Sequence, residues 1–563
     1  MRFRFAWSAA FLFVSFLVSC KDDSPTVSAL PSGMPAASTA SIGDLAAPAT
    51  GGAATGQAPA ATSTVAIPAA STFTLRIPGE PETLDWNKAH TPIETYILMN
   101  LMEGLVGYDA KLNPVPSLAQ KWTVSSDGRT YTFTLRPGVK WSDGVTLRAQ
   151  DFVYSWKRLL SPVTAAAYAY FLFDIEGAEY FNKGAIQDFK QVGVKALDDL
   201  TLQVKLVRPV GHWIHIPTFW VTYPMREDIV EKYGNSWDTP GRMVTLGPYQ
   251  LASHDYDTRI TLKGNPTYWG TRGNVEQIVY QIIAENSTAL SLYEAGKMDL
   301  LTDISSLDLK RLSGREDLKT FPYLKTGYLG LVVSKYPMSN VHLRRAIAMG
   351  IDKSKVGEIL LGGQKVATSF VPPGLPGYSA KAGLPFDIAK ARAELRASGI
   401  DQSKALALEI VLPNWDKQVV LSQFIQQQLK KNLGIEVTLQ PFDNKTFRSQ
   451  VDLRAFPAFL MSWSADFPDP DNFMSLFTAS AGNNRTNWKN EKYDDLVLAA
   501  RNQMEPAARD RAYQAVQKIL LEDEAAVVPL YYEPNLALVK ARAKGVELNP
   551  LNYLLLRNVT LSP

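Results

Sequence analysis

Hydrophobic spacing that switches from the period of a helix to the period of a strand constrains this fold more than any other feature. Leu421, Phe424, Ile425, Leu429 and Leu433 recur at helical spacing, Gly434 supplies a stop, and IEVTLQPF then alternates apolar with polar positions. A helix feeding a strand is read there. The end of the chain repeats the pattern, with a helix through Ala512 to Leu521 leading into AVVPLYY. Elsewhere TYTFTLRPG sets Tyr131, Phe133 and Leu135 on one face before Pro137-Gly138, and LTLQVKL does the same with Leu200, Leu202, Val204 and Leu206. Both periods in one chain imply a mixed α/β architecture. No internal repeat, heptad run or second membrane-length apolar segment departs from that reading.

The first 71 residues are expected to stand outside the fold. Residues 1–19 hold two arginines and an apolar run that is short for a membrane span, the pattern of an export signal. The chain has a single cysteine, Cys20, so an internal disulfide is excluded. Residues 21–71 are mostly Ala, Pro, Ser, Thr and Gly, too poor in large apolar side chains to offset the entropy of ordering them. Such a segment serves as a tether, with an end-to-end distance of roughly 40 Å for about fifty residues of flexible coil. The remaining body is large enough for more than one core. A formal net charge of +3 with no basic block supports neither nucleic acid nor an anionic membrane surface as a partner.

Catalytic signatures are sparse. Of five histidines, His212 and His215 share the stretch GHWIH without an HExxH, and a strand or turn fits them better than a metal. No GxSxG elbow, Walker loop or GxGxxG fingerprint occurs. The stretch SWSADFPDPDNF, Ser462 to Phe473, crowds Asp466, Asp469 and Asp471 together. Counted from Asp469, an EF-hand would need Gly and an acid where Met474 and Ser480 stand, so calcium is excluded as an EF-hand ligand. A two-carboxylate hydrolase has no positive support, and Asp469 or Asp471 suits a cap on a helix beginning near Asn472.

Several stretches together resemble the extracytoplasmic solute-binding proteins of ABC importers, peptide/nickel type (family 5), and among them the oligopeptide-binding lipoproteins. The resemblance is carried by LDWNKAHTPIETYILMNLMEGL, LRPGVKWSDGVTLRAQDFVYSWKRL, GVKALDDLTLQVKL, GNPTYWG, LRRAIAMGIDK, SWSADFPDPDNF and VVPLYYEPNLALV, in the family's order across the whole body. Leu17-Val18-Ser19-Cys20 likewise resembles a lipobox, which implies a lipidated Cys20 and an anchor in a membrane whose leaflet, inner or outer, stays open.

The fold so implied is a two-lobed periplasmic-binding-protein clamshell (type II, cluster C) with an extra inserted domain. Residues 72–102, 227–329 and 535–563 would form lobe 1, residues 103–226 the inserted domain and residues 330–534 lobe 2. Two chain crossings would act as a hinge that closes on ligand. The function implied is peptide capture between the lobes and delivery to an ABC permease, by a monomer with no cofactor, no metal and no enzymatic activity. Asp466 matches the aspartate that pairs with a peptide's α-ammonium group, and Ser462, Trp463 and Ser464 match the segment that pairs with the peptide main chain. Tyr168 matches a tyrosine closing the pocket, and Tyr531 or Tyr532 falls where a crossing meets the cleft. Trp141, Asp143 and Gly144 mark the family but are assigned to a turn. His90 stands where an acidic residue is expected, Asn444 where a tryptophan is, and Val451 and Leu460 where arginines would take the peptide's carboxylate. The same clamshell could hold an oligosaccharide or a chelated metal instead.

Overall fold

The helix-to-strand switch at residues 421–442 sets the plan of one of the two large sheets. The helix Asp416–Leu433 buries Leu421, Ile425, Leu429 and Leu433, and Gly434 ends it at φ +71°, a left-handed conformation that glycine adopts without steric cost. The chain then enters the strand Ile435–Phe442, which runs parallel to Leu406–Pro413. The second switch is also present: a helix at Pro506–Lys518 and a π turn at Ile519–Asp523 lead to the strand Val527–Tyr532, buried at every position. The computed structural model describes residues 71–562, so the expected signal, lipidation at Cys20 and nearly all of the tether lie outside the described residues.

Two large sheets organise the body. One has six strands, in the spatial order Lys365–Val366, Val527–Tyr532, Lys325–Leu331, Ala458–Ser464, Leu406–Pro413 and Ile435–Phe442. An apolar core including Leu329, Ile347, Ile410, Ile425, Leu460 and Leu530 packs against it. The other has seven strands, in the order Leu318–Phe321, Asn535–Val539, Leu300–Leu301, Thr72–Ile77, Gln277–Ile282, Arg259–Gly264 and Tyr249–Asp255. Its membership explains why early, middle and late parts of the sequence fold together: Thr72–Ile77 pairs in parallel with Gln277–Ile282, and Leu300–Leu301 pairs with both Thr72–Ile77 and Asn535–Val539.

The chain passes between the sheets twice, at residues 322–324 and 533–534. A boundary at 329/330 therefore falls inside the strand Lys325–Leu331. That strand belongs wholly to the six-stranded sheet, because it pairs on both sides, with Ala458–Ser464 and with Val527–Tyr532. The two crossings are fastened to each other. Glu533 donates its amide to the Lys325 carbonyl at 3.1 Å, and its carboxylate is bonded by the ammonium groups of Lys325, at 3.2 Å, and Lys417. Against the penalty of burial, the two lysines hold Glu533 at about 2.

A four-stranded antiparallel sheet, ordered Ala119–Val124, Thr130–Leu135, Thr201–Lys205 and Val194–Asp198, lies within residues 103–226. Thr130–Leu135 buries alternate residues, as the sequence pattern requires. Trp141, Asp143 and Gly144 form a turn, where Gly144 takes φ +89° and Asp143 accepts the Val145 amide at 3.1 Å. GHWIH is neither strand nor simple turn: a 3₁₀ helix runs from Trp213 to Thr218, just after His212.

Candidate functional site

The strand Ala458–Ser464 is covered unequally on its two edges. Along one edge it pairs with Lys325–Leu331 over its full length, with Ser462, Trp463 and Ser464 opposite Gly327, Thr326 and Lys325. Along the other, the parallel strand Leu406–Pro413 reaches only Ala458 and Phe459. From Leu460 onward that edge carries no strand among the described residues. An uncovered edge is a template for an added extended segment.

Beyond the strand, one asparagine fixes the next turn. Asn472 accepts hydrogen bonds from the Trp463 indole N–H at 3.0 Å and from the Asp466 amide at 3.1 Å, and its own Nδ2 donates to Asp466 Oδ2 at 3.3 Å. The Tyr553 hydroxyl, from the far end of the chain, donates to the Asp466 carbonyl at 3.3 Å. Asp466 is thus held in place but not neutralised. No lysine, arginine or histidine pairs with it among the described residues, and burial pushes its carboxyl up to about 6.

Asp466 lines a cavity of about 640 Å³ that also touches Tyr170, Phe171 and His212 on one wall and Trp463, Asn472 and Arg501 on the other. That volume falls within the range of small-ligand sites. The remaining charges in its walls are matched: Arg208 pairs with Asp174 at 2.7 Å and Arg501 with Asp471 at 2.8 Å. Asp469, nearby, receives both terminal nitrogens of Arg509 at 2.6 Å. Burial works against the charge on Asp471, yet Arg501 holds its carboxyl at about 2. Asp469 also accepts the Asp471 amide at 2.8 Å, but the cap of the short helix Asp471–Met474 falls on Pro470, which has no side-chain acceptor, so neither aspartate takes the capping position expected near Asn472. Of three aspartates in six residues, one remains without a counter-charge.

Tyr168 stands behind this cavity in an aromatic group with Phe171, Phe219 and Trp220, at centroid distances of 5.1, 5.1 and 5.9 Å. Burial, and after it the charge of Asp466, raises its hydroxyl pKa. Trp220 joins the parts: its N–H donates to the Ala89 carbonyl at 3.0 Å and its ring meets Tyr553 edge-on at 6.2 Å. Phe467, next to Asp466, stacks on His212 at 5.0 Å and meets Phe171 edge-on. The structure therefore brings Asp466, Trp463 and Tyr168 into one neighbourhood.

Tyr532 is elsewhere. It is buried in the six-stranded sheet, and its hydroxyl donates to the Ser369 carbonyl at 2.9 Å and accepts the Ser369 amide at 3.0 Å. Tyr531 is buried as well, with its hydroxyl 3.3 Å from Gln418. His90 is exposed beside Glu82, one residue beyond the carbonyl that Trp220 holds. Val451 and Leu460 are buried in apolar cores and Asn444 is exposed, so none of the three brings a charge to the cavity. Sequence reasoning passed over Asn472, Phe467 and Tyr553. Asn472 lay within the flagged segment, but nothing local marks Tyr553, which is 87 positions from the residue it bonds.

Comparison with known proteins decides the family: a model for the bacterial extracellular solute-binding proteins, family 5 Middle, matches residues 113–485. The chain belongs to that family. The family 5 chain is 32% identical over 497 residues to the probable deoxycholate-binding periplasmic protein YgiS of Escherichia coli, spanning 84% of this chain and 90% of the relative. It is also 32% identical over 489 residues to the periplasmic murein peptide-binding protein MppA of the same organism, with the same coverage. Among solved structures it resembles Haemophilus influenzae OppA in complex with RPPGFSPFR, with a TM-score of 0.73, 26% identity, and coverage of 87% of this chain and 99% of that one. The family 5 fold is the two-lobed α/β clamshell, its members are binding proteins rather than enzymes, and they work outside the cytoplasm.

Proposed function

We propose that this family 5 protein is the peptide-capturing component of an ABC importer, anchored to a membrane through a lipidated Cys20, and that Asp466 receives the α-ammonium group of the bound peptide. The observation that carries this reading is a fixed, partly buried carboxylate without a counter-charge, facing a cavity of about 640 Å³ whose other charges are paired. Leaving such a charge unmatched is costly, and an enclosed ammonium removes the cost when ligand binds. The open edge at Ser462, Trp463 and Ser464 supplies main-chain bonds that are blind to side chains, which favours broad peptide specificity. The two crossings at residues 322–324 and 533–534 act as the hinge, and the loaded form is delivered to the permease.

With Val451 and Leu460 buried where cationic residues would take a C-terminal carboxylate, this protein holds the amino end and tolerates variation at the far end. Isothermal titration with one peptide in free and N-acetylated forms tests the assignment. The free peptide should bind at least about thirtyfold more tightly, the cost of removing one partner of a buried charge pair. Equal affinities would remove Asp466 from the role. YgiS, a probable deoxycholate-binding protein, raises a second cargo class, but an anionic amphiphile would face the unpaired Asp466 with a like charge. Titration with deoxycholate alongside the peptide separates the two. Metabolic labelling of a Cys20→Ser variant with a fatty-acid analogue tests the anchor, because label retained on the variant would place the lipid elsewhere.

A further inference from the structure

The loop before the helix Pro92–Leu101 gathers three metal-ligating side chains that the peptide reading does not use. Glu82, His90 and Glu94 each offer one ligand atom, and these atoms lie within 4.8 Å of one another. His90 Nε2 stands 3.7 Å from Glu82 Oε2, while its Nδ1 is 3.3 Å from the Lys88 carbonyl. An imidazole whose far nitrogen donates to a backbone carbonyl has the tautomer and orientation of a metal ligand. Glu94 is the third position of the helix, and its Oε2 accepts the amides of His90 and Thr91 at 2.7 Å each. That bond fixes the carboxylate but uses only one oxygen. Glu94 is fully buried, its Oε1 has no hydrogen-bond partner, and no lysine or arginine pairs with any of the three residues among those described.

We propose that Glu82, His90 and Glu94 form a divalent-cation site suited to zinc. Imidazole nitrogen and carboxylate oxygen are both zinc donors, and a site with three protein ligands leaves a fourth position to water. Exposure of Glu82 and His90 gives a cation access from solvent, and Glu94 adds a buried carboxylate with one unpartnered oxygen whose charge no lysine or arginine offsets. An ordinary surface pair between Glu82 and His90 with a capping Glu94 accounts for every contact except that oxygen. None of the three residues bonds Asp466, and zinc binding is read without peptide, so its outcome is separate from that of the peptide assignment. It lies beside Ala89, whose carbonyl holds Trp220, and Trp220 packs against Tyr168. A cation there would stiffen the loop that supports the back of the cavity.

The test is titration of the chelator-stripped protein with zinc(II) by calorimetry at pH 7.5, with cobalt(II) absorption as a second readout. One equivalent should bind saturably, and His90→Ala and Glu82→Gln should each weaken that event at least about tenfold while the thermal midpoint without metal stays unchanged. His254→Ala, which removes a histidine paired with Glu80 instead, should leave the affinity as it is. Absence of saturable binding below about millimolar zinc, or binding that His90→Ala does not weaken, overturns the proposal.

Discussion

Glu533, at a crossing between the lobes, and Asp466, at the cavity, are both carboxylates in little contact with solvent, and the molecule treats them in opposite ways. Glu533 lies between Lys325 and Lys417 and is held at about 2, while Asp466 has only Asn472 and is pushed up to about 6. At the crossing the carboxylate has two counter-charges, so it fastens two passages of the chain. At the cavity the scaffold satisfies the backbone around Asp466 and leaves its charge open. Asp469 and Asp471 repeat the first treatment within five residues of Asp466, being bound by Arg509 and Arg501. Among these four carboxylates the paired ones fasten architecture, and the unpaired one is the group to which the proposed function assigns the ligand.

Breaking the matched region should have the largest effect. Glu533→Gln leaves two lysines facing each other and should cost about 3–5 kcal/mol in urea unfolding at neutral pH. Because Glu533 is held below its unfolded value, that contribution is present above about pH 4.5 and fades as pH falls toward 2, so wild type and variant should converge in acid. Breaking the unmatched region should cost binding instead: Asp466→Asn should lose about 2–5 kcal/mol of peptide affinity by calorimetry. Equal losses of affinity and stability in both variants would erase the contrast.

Acid sharpens the comparison at the cavity. With its carboxyl at about 6, Asp466 is only about one-tenth ionised at pH 5, so peptide affinity should fall about tenfold between pH 7 and 5 and Asp466→Asn should be flat over that range. The same shift has the reverse sign for the ligand-free fold. A folded pKa above the unfolded one means that the charge costs stability above about pH 6 and that the cost disappears as pH falls toward 4. Asp466→Asn should therefore stabilise the empty protein by about 1–2 kcal/mol at pH 7.5, read by urea unfolding, even as it stops binding. The smallest effect belongs to Tyr532→Phe, which loses the Ser369 bonds and about 1 kcal/mol of stability while peptide affinity stays within about twofold.

Much of the architecture was legible because periodicity is a local signal. The helix ended by Gly434, the strand that follows it and the alternation at Thr130–Leu135 are each written in neighbouring residues. GHWIH was misread because two histidines around an apolar pair satisfy several local conformations, and packing of Trp213 into the core and of His212 on Phe467 selects the 3₁₀ turn. Asp466 was legible as a member of a motif, whereas its distinction from Asp469 and Asp471 was not. All three are aspartates beside prolines or aromatics, and only the arrival of Arg509 and Arg501 from forty and thirty positions away separates them.

By itself, then, the order of residues determined where helices and strands form, that no disulfide supports them, and which short segment carries the concentrated acidity. Tertiary structure alone decided which crossing joins the sheets, which tyrosine stays in the core and which aspartate keeps an open charge. The physical reason is range. Backbone preference and side-chain period act over a few residues, but an ionised group is settled by whichever counter-charge the fold brings within hydrogen-bond distance, and that partner can come from anywhere along the chain.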